Sequence, residues 1–495
     1  MNEATQLAEA LEELAASGPV EVHEDGEWLA ELAGLEYEVR PAGKQALVHL
    51  WSESRNLTRR VLRVAERSPE RLVLEVQRFG RPKAGRLEFL RANAARPARR
   101  ITREQFRARF GRMLAEQFPD ARAESLTTAA DLEHSFSGNY TRGLLIEGRR
   151  SWAVLGVSPG EDPATIEAIL SFGLLWLDRT RQRAERRGVE GLRLFLPERA
   201  GRMTLYRLQA VTPSANVELF EFSETTWLAR RVEAGDVGNV ESWLTPRREV
   251  EATLAAAGRV VQRIGALAAD APNAIASAVP PGTREVAFRF RGLEFARWSE
   301  GKLVFGFGGE RHELARDGWG ELETLVRELD LRRNCLAEDV NHPLFRAAPE
   351  RWLESLVLAD PSSVDAQLDP LHLYSQAPAF SAGDRGVMDL LGTTRQGRLV
   401  VIELKASEDL HMPIQAVDYW LRVRAHQREG EFASYGYFTG VELDPRPPLL
   451  WLVAPGLRFH PATDILLRYL APEIQVTRIG LNENWRRGLR VIFRM

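Results

Sequence analysis

The fold is decided by residues 386–420, GVMDLLGTTRQGRLVVIELKASEDLHMPIQAVDYW. Two apolar runs flanking RQG (residues 395–397) predict antiparallel strands joined by a tight turn. The segment that begins at Pro413 predicts a helix. The strands carry Asp389, Glu403 and Lys405 among apolar neighbours, and Gln415 and Tyr419 are four residues apart on one face of the helix. These five polar residues form the candidate site.

The turn length sets the strand register. A three-residue loop at 395–397 places Asp389 directly opposite Glu403, and strand alternation places Glu403 and Lys405 on the same face. Two buried carboxylates in this position repel each other unless a cation lies between them. A hard divalent ion bound by Asp389, Glu403 and the carbonyl of Leu404, with water at its other positions, satisfies the cluster. The sequence therefore predicts a Mg²⁺ site, with Mn²⁺ as a substitute.

This site suits phosphodiester hydrolysis. A bound metal lowers the pKa of water and stabilises charge on a phosphoryl oxygen. Lys405 would assist the attacking water, and Gln415 and Tyr419 would orient water or phosphate. The alternative for the charged trio is a cross-strand salt bridge on an exposed face. VVIELK is apolar on both sides of the pleat, which favours a buried central strand. Gln415 and Tyr419 taken alone would better fit a helix face that meets solvent, and they become site candidates only together with the charged trio.

Lysine usage gives Lys405 additional weight. Of the 66 lysine and arginine residues, only four are lysine: Lys44, Lys83, Lys302 and Lys405. Exposed basic positions therefore take arginine almost always. A remaining lysine points to a site that needs a compact ammonium group.

The order Asp389, Glu403-x-Lys405, Gln415-x-x-x-Tyr419 resembles the PD-(D/E)XK nuclease superfamily, and its helix resembles the RecB-like exonuclease branch. The resemblance covers roughly residues 343–460. It implies a mixed four-stranded sheet flanked by helices, Mg²⁺ dependence and DNA cleavage. It also implies a further carboxylate ligand on the preceding helix, Glu354, or Glu350 one turn earlier. Met388 stands where the family name has proline.

Composition excludes several classes of protein. The chain has 495 residues, 44% hydrophobic and 27% charged, which is typical of a folded globular protein of several domains. The single cysteine, Cys335, excludes an intrachain disulfide framework and a multi-cysteine zinc site, so we predict a cytoplasmic location. The acidic N-terminus predicts no signal peptide, and the longest apolar helix candidate, residues 164–177, is too short to span a membrane. A net charge of -3 neither supports nor excludes a nucleic-acid partner.

Short strands and helices alternate in a repeating order along the chain. The pattern predicts an α/β (α+β) fold built as a tandem duplication, in which a small β-rich module is followed by a restriction-endonuclease-like mixed-sheet module. The predicted units are a β-rich domain (1–95), a degenerate nuclease-like domain (96–240), a helical linker (241–282), a second β-rich module (283–342) and a nuclease domain (343–495).

Matching residues support the duplication. Residues 34–37 and 43–44 match residues 292–295 and 301–302 at a constant separation, and Trp227 matches Trp485. In this alignment Asp389, Glu403 and Lys405 fall opposite Ile146, Leu155 and Val157, and Gln415 falls opposite Glu167. Chance similarity between two unrelated α/β modules is the alternative. The duplication predicts one catalytic copy and one copy that serves as scaffold or binding surface.

Arginine clusters are candidates for contacts with nucleic-acid phosphates. They are Arg99, Arg100, Arg103 and Arg107 in one segment, and Arg486 and Arg487 near the C-terminus. A solvated helix face or surface strand is the alternative for each cluster. His372 and His411 are candidates for a supporting role near the metal, or for purely structural roles.

Two functional hypotheses follow. The first is a metal-dependent DNA endonuclease or exonuclease, with single- or double-stranded substrate and homodimer formation left open. The second is a non-catalytic nucleic-acid-binding or assembly protein on a nuclease-like scaffold.

Overall fold

The structure of the chain is a computed structural model. It describes residues 3–16, 18–24, 27–42, 45–52, 55–77, 84–91, 102–184, 188–233, 242–268, 271, 273–307, 311–315, 318–375, 379–380 and 390–495. The fold is α+β, as predicted, and consists of several modules, each organised around its own sheet.

The N-terminal module is a β-sheet covered by one helix. Its elements are α1 (Glu3–Ala16), β1 (Val20–Glu24), β2 (Glu27–Glu31), β3 (Glu36–Ala42), β4 (Gln45–Ser52), β5 (Arg55–Ser68), β6 (Arg71–Gln77) and β7 (Ala84–Arg91). The seven strands are antiparallel in the order β2-β1-β7-β6-β5-β4-β3. Leu7 and Leu11 of α1 join Val22, Val48 and Leu74 in a separate apolar core.

The first α/β module follows. Its elements are α2 (Arg103–Gln117), β8 (Arg122–Thr127), β9 (Tyr140–Glu147), β10 (Arg150–Val157), α3 (Pro163–Glu167), α4 (Ile169–Arg183), β11 (Gly188–Pro197), α5 (Arg202–Leu208), β12 (Val217–Phe222) and β13 (Ala229–Val232). Thr102 begins α2 with a capping box, because its side chain and that of Gln105 each accept from the other's backbone N–H. The apolar segment predicted as a buried helix forms α3 and α4, and α4 packs on β10 and β11.

The second β-rich module includes the segment that the sequence predicted as a linker. Its elements are α6 (Arg247–Ala256), α7 (Gly258–Gly265), β15 (Ile275–Ala278), β16 (Glu285–Phe290), β17 (Leu293–Ser299), β18 (Lys302–Phe305), β19 (His312–Glu313) and α8 (Trp319–Arg332). Ala257 and Ile264 lie in one core with Val286 and Phe288, and β15 pairs with β16. Residues 247–278 are therefore part of this module. The linker prediction failed because the helices bury apolar side chains against the sheet.

The second α/β module completes the chain. Its elements are α9 (Pro343–Arg346), α10 (Pro349–Ala359), β20 (Leu368–Ser375), β22 (Leu390–Thr394), β23 (Leu399–Leu404), α11 (Met412–Arg428), α12 (Glu431–Ser434), β24 (Leu449–Pro455), α13 (Thr463–Arg468), β25 (Gln475–Leu481) and β26 (Val491–Arg494). A short pair, β14 (Ser242–Trp243) with β21 (Ala379–Phe380), lies outside the larger sheets.

The two α/β modules have the same topology. The first sheet has the order β8-β9-β10-β11-β12-β13, and the second has the order β20-β22-β23-β24-β25-β26. In both sheets the third, fourth and fifth strands run parallel, and the remaining pairs are antiparallel. Helices α4 and α11 occupy equivalent crossovers, and so do α5 and α13. This agreement supports the duplication inferred from the sequence.

The two β-rich modules agree less closely. Of the matching residues, 36–37 lie in β3, which pairs with β4, and 293–295 lie in β17, which pairs with β18; residues 43–44 lie outside the described residues. Strand β3 is an edge strand, whereas β17 pairs on both sides. The modules therefore share a hairpin but differ in strand number and order.

The two α/β repeats pack against each other through equivalent elements. Val211 pairs with Leu470 in an antiparallel bridge flanked by two backbone hydrogen bonds of 2.8 Å, and each residue is followed two positions later by a proline. Helix α4 contacts α13 while α5 contacts α11. Equivalent surfaces in reciprocal contact are the pattern of a twofold-related dimer. Side chains from both repeats form one continuous core.

Among the described residues, the structure contains no helix that is both long and apolar enough to cross a membrane.

Candidate active site

The hairpin at the centre of the second repeat has the predicted register. Leu390 pairs with Ile402, Leu391 with Val401 and Gly392 with Val400. The turn closes with Gly397 at φ +82°, a conformation that favours glycine. Asp389, the predicted partner of Glu403, lies outside the described residues.

Alternation along β23 orients the two charged side chains. Leu399 and Val401 join the core beneath α11, whereas Val400, Ile402 and Leu404 join the core beneath α10. Alternation therefore places the side chains of Glu403 and Lys405 on the face of the sheet that α11 covers. Glu403 is only 4% exposed, and Leu404 is 1% exposed.

Lys405 lies between two carboxylates. Its Nζ atom is 3.7 Å from Glu403 Oε1 and 3.1 Å from Asp409 Oδ2. Asp409 was not among the residues predicted from the sequence. Its position four residues after Lys405, in the loop that leads into α11, was the available signal. The same carboxylate accepts the backbone N–H of His411 at 2.8 Å, which ties the start of α11 to this loop.

Helix α11 carries the predicted Gln415 and Tyr419. The helix packs on β23 and β24. Tyr419 is buried at 7% exposure, whereas Gln415 is partly exposed. The solvent-facing alternative therefore does not describe Tyr419.

The two candidate carboxylates of α10 have different contacts. Glu354 is buried, and its two oxygens accept from Arg351 Nη1 at 2.6 Å and from the Ser375 hydroxyl. Glu350 Oε1 instead accepts the backbone N–H of Ala406, the residue after Lys405, at 3.3 Å. The structure therefore favours Glu350 over Glu354 beside Lys405, because the oxygens of Glu354 are already engaged.

Two imidazoles lie at the entrance to α11, where the first repeat contacts the second. The His411 ring is 5.3 Å from that of Phe172. Its pKa is lowered by burial, and nearby Arg207, His460 and Lys405 lower it further, against the opposing effect of Asp409. Its Nδ1 atom is buried without a hydrogen-bond partner in the part of the chain that the structure describes.

His460 was not predicted. Its Nε2 atom is 3.3 Å from Ser135 Oγ of the first repeat and 3.7 Å from Glu408 Oε1, and burial lowers its pKa. His372, the other predicted histidine, has structural contacts. Its ring nitrogens lie 2.7 Å from Asp369 Oδ2 and 3.1 Å from the carbonyl oxygen of Thr439.

A buried ion pair joins the repeats behind these imidazoles. Arg207 of α5 donates to both oxygens of Asp418 on α11, at 2.8 and 2.7 Å, and to the carbonyl of Glu167 at 2.9 Å. Asp418 precedes Tyr419, so the first repeat holds the helix that carries the candidate site.

The first repeat lacks these charges at the equivalent strand positions. Pro197 and Pro455 end the equivalent strands β11 and β24, and the parallel pairing then matches Leu155 and Val157 to Glu403 and Lys405. The residue across from Leu155 is Arg142, whereas Ile146 pairs with Ser151. Arg142, a buried residue of the first repeat, therefore takes the strand position that the sequence alignment gave to Ile146. The alignment assumed fewer residues between this position and Leu155 than the β9–β10 hairpin contains.

The predicted phosphate-binding arginines differ in exposure. Arg99 and Arg100 lie outside the described residues. Arg103, Arg107 and Arg487 are exposed; Arg103 donates to Asn139. Arg486 stacks over Phe345, Trp352 and Trp485 at 4.1–5.1 Å, and burial lowers its pKa. We therefore exclude Arg486 from the candidate phosphate contacts, since its guanidinium is packed against rings.

Another group of ligand atoms lies in the first repeat. Oxygen and nitrogen atoms of Asp131, Glu133 and His134 approach within 4.8 Å of one another. His134 Nδ1 already lies 3.0 Å from both oxygens of Asp131, which is sufficient reason for their proximity.

No protein-family model matches this chain, and no curated protein matches its sequence.

Proposed function

We propose that the chain is a metal-dependent nuclease of the PD-(D/E)XK type, whose active site lies at the end of β23. The observation that carries this proposal is the pairing of a buried carboxylate with an ammonium on one side of a central strand. The first repeat forms the same sheet with Leu155 and Val157 at these positions, so the fold does not depend on Glu403 and Lys405. A buried charge that folding does not need is a candidate for chemistry.

The donor atoms suit a hard divalent cation. Glu403 offers a carboxylate and Leu404 a carbonyl, and Asp389 is the third proposed ligand. Oxygen donors of this kind are those that Mg²⁺ prefers, and Mn²⁺ accepts the same set. The ion would supply Lewis-acid stabilisation of the charge that develops on the phosphoryl oxygens.

The chain's own residues have distinct roles in this proposal. Glu403 would hold the cation. Lys405, as an ammonium, would orient the attacking water and stabilise the negative charge that develops as the water loses its proton to solvent. Asp409 fixes the position of the ammonium, and Gln415 and Tyr419 position the phosphate from α11.

The proposed substrate is DNA, bound by exposed arginines that include Arg103, Arg107 and Arg487. With one site in each chain, a monomer would cut one strand at a time. A double-strand break would require a homodimer or successive cuts. We place this activity in the cytoplasm, as the cysteine content predicts.

The test compares the purified wild-type protein with Lys405→Ala. Plasmid and single-stranded DNA are incubated with Mg²⁺, with Mn²⁺ or with EDTA. We expect cleavage that needs the metal and that falls by at least about 100-fold in the variant, because a positioned charge-stabilising group contributes about that much. Lys302→Ala is the matched control: this lysine also follows Glu-x, but is exposed and paired with Glu313 at 3.1 Å.

Equal behaviour of wild type and Lys405→Ala under every condition would refute the proposal. DNA binding without cleavage would favour the non-catalytic binding or assembly protein instead.

A further inference from the structure

A cavity of about 400 Å³ lies between the second β-rich module and the second α/β module. Helix α6 and strand β15 form one wall, and helix α10 and strand β20 form the other. This volume is within the range of small-molecule pockets, about 300–1,000 Å³, and accommodates one nucleotide unit.

Positive charge predominates in the cavity. Its charged lining residues are Arg247, Arg289 and Arg351 against one acid, Glu354. Arg351 and Glu354 form an ion pair of 2.6 Å. Burial lowers the pKa of Arg289, against the opposing effects of Glu354 and Glu294. An anionic group that enters the cavity would add a charge-assisted contact to these cations.

Much of the remaining lining is apolar or aromatic, with some uncharged polar side chains among it. Val250, Leu254, Ile275 and Leu358 contribute aliphatic surface. Tyr374 and Tyr437 also line the cavity, with ring centroids 5.0 Å apart. The Arg247 guanidinium lies 5.0 and 5.9 Å from these two rings. Planar guanidinium and aromatic groups are surfaces on which a nucleobase can stack.

The cavity adjoins the strands of the candidate active site. Ser375 lines the cavity, donates a hydrogen bond to Glu354 and pairs with Leu390 of β22. Leu390 pairs in turn with Ile402, next to Glu403 on β23. One strand, β22, therefore separates the cavity-lining strand β20 from the strand that carries Glu403.

We propose that this cavity binds a phosphorylated nucleotide, with the base against the apolar and aromatic wall and the phosphate near the three arginines. The nucleotide is either free or the terminal unit of a nucleic-acid strand. Binding of a strand end rests on the proposed nuclease function, whereas binding of a free nucleotide does not.

The test measures binding by titration calorimetry, with the full chain in EDTA so that no cleavage occurs. The probes are deoxyadenosine 5′-monophosphate, deoxyadenosine, and a twelve-nucleotide single strand with a 5′-phosphate or a 5′-hydroxyl. We expect saturable binding of the monophosphate and at least roughly tenfold weaker binding of the nucleoside, as loss of a charge-assisted contact implies. Tighter binding of the phosphorylated strand than of the free monophosphate would identify a strand end. The reverse order would identify a free nucleotide.

Two variants connect binding to the cavity. Arg247→Gln removes one lining cation and should weaken monophosphate binding by roughly tenfold. Ala276→Trp places a large ring at an exposed position of the lining and should abolish binding. Arg248→Gln is the matched control, because Arg248 is an exposed neighbour on α6 outside the cavity, and it should bind as wild type does.

Three outcomes would overturn the proposal. They are no saturable monophosphate binding at millimolar concentration, unchanged binding in both cavity variants, and binding of the nucleoside as tight as that of the monophosphate. DNA cleavage is assayed separately on Arg247→Gln, which retains Glu403 and Lys405. Loss of nucleotide binding is thereby distinguished from failure of the nuclease proposal.

Discussion

Lys405 combines local and tertiary contacts. Strand alternation places it on the side of Glu403, and the loop after β23 brings Asp409 to within 3.1 Å of its ammonium. A flexible lysine chain loses about 2 kcal/mol of rotamer entropy when it is held in one place. Two carboxylates offset that cost and keep the ammonium beside the proposed metal ligands.

Asp409→Asn tests this arrangement. We expect DNA cleavage to fall between about 10- and 100-fold, because loss of the carboxylate lets the ammonium move away from the reacting groups. The amide oxygen can still accept the His411 backbone N–H, so unfolding by urea should change little. Asp409→Glu should recover part of the rate, and Asp444→Asn, which removes the carboxylate bonded to Arg446, should leave the rate unchanged.

His411 gives a pH-dependent prediction. Burial lowers its pKa below the ordinary value of 6.5, so the ring is neutral at pH 7 and the unfolded chain takes up a proton first as pH falls. The free energy of unfolding should therefore decrease below about pH 6.5. An NMR titration should give a pKa for His411 that lies below the ordinary range for histidine. In His411→Gln the decrease between pH 7 and pH 5.5 should be smaller; an equal decrease would contradict this assignment.

At the scale of elements, each of the two corresponding helix pairs contains one ion pair, and the two ion pairs differ in burial. Arg207 of α5 pairs with Asp418 of α11, and Arg468 of α13 lies 3.1 Å from Asp178 of α4. The Arg207 side chain is 9% exposed and that of Arg468 is 60% exposed. The two contacts form a matched pair within one chain.

Arg207→Ala should lower the free energy of unfolding by about 3–5 kcal/mol, since it leaves Asp418 buried without its cation. Arg468→Ala should cost at most about 1 kcal/mol, because solvent screens an exposed pair. Urea denaturation of both variants measures the difference. Equal losses of stability in the two variants would show that burial does not determine how much each ion pair contributes.

The hairpin turn depends on a single glycine. A Cβ atom on Gly397 would lie 2.0 Å from the carbonyl oxygen of Glu442, at φ +82°. Gly397→Ala should therefore cost about 3 kcal/mol, because steric overlap adds to the left-handed penalty. Gly430→Ala at φ +69° meets nothing within 4 Å and should cost only about 1 kcal/mol. Thermal unfolding of the two variants checks the comparison.

At the scale of the whole molecule, the two repeats behave as one folding unit. Their shared core includes Leu155 and Leu174 of the first repeat and Val401 and Val417 of the second. Each repeat alone would expose its part of this apolar surface to water. The N-terminal module differs, because Leu11, Val48 and Leu74 belong to a core of its own.

Fragments test this division. Residues 343–495 expressed alone should be aggregated or unfolded by circular dichroism, because the apolar surface that the first repeat covers would be exposed. Residues 1–95 alone should unfold cooperatively. A monomeric 343–495 fragment with a cooperative transition close to that of the full chain would contradict the shared core.

Local contacts explain what could be predicted at the candidate site. The register from Leu390–Ile402 onwards follows from loop length and alternation, both of which are visible in sequence. The sequence offered Glu350 only as an alternative to Glu354, and it did not indicate His460 or Arg207. Each of the three reaches the Lys405–His411 region from a distant part of the chain, and no local pattern encodes such contacts.

The sequence by itself determined the α+β class, the central hairpin, the buried helix and the recurrence of a module, because period and turn length are local properties. Tertiary structure alone decided that residues 247–278 pack as part of a module, that Arg142 lies across from Leu155, and that Lys405 is held by Asp409. The physical reason is that burial and charge pairing depend on which surfaces meet after the strands have paired. The stretch at 386–420 specifies its hairpin, and the first repeat completes its surroundings.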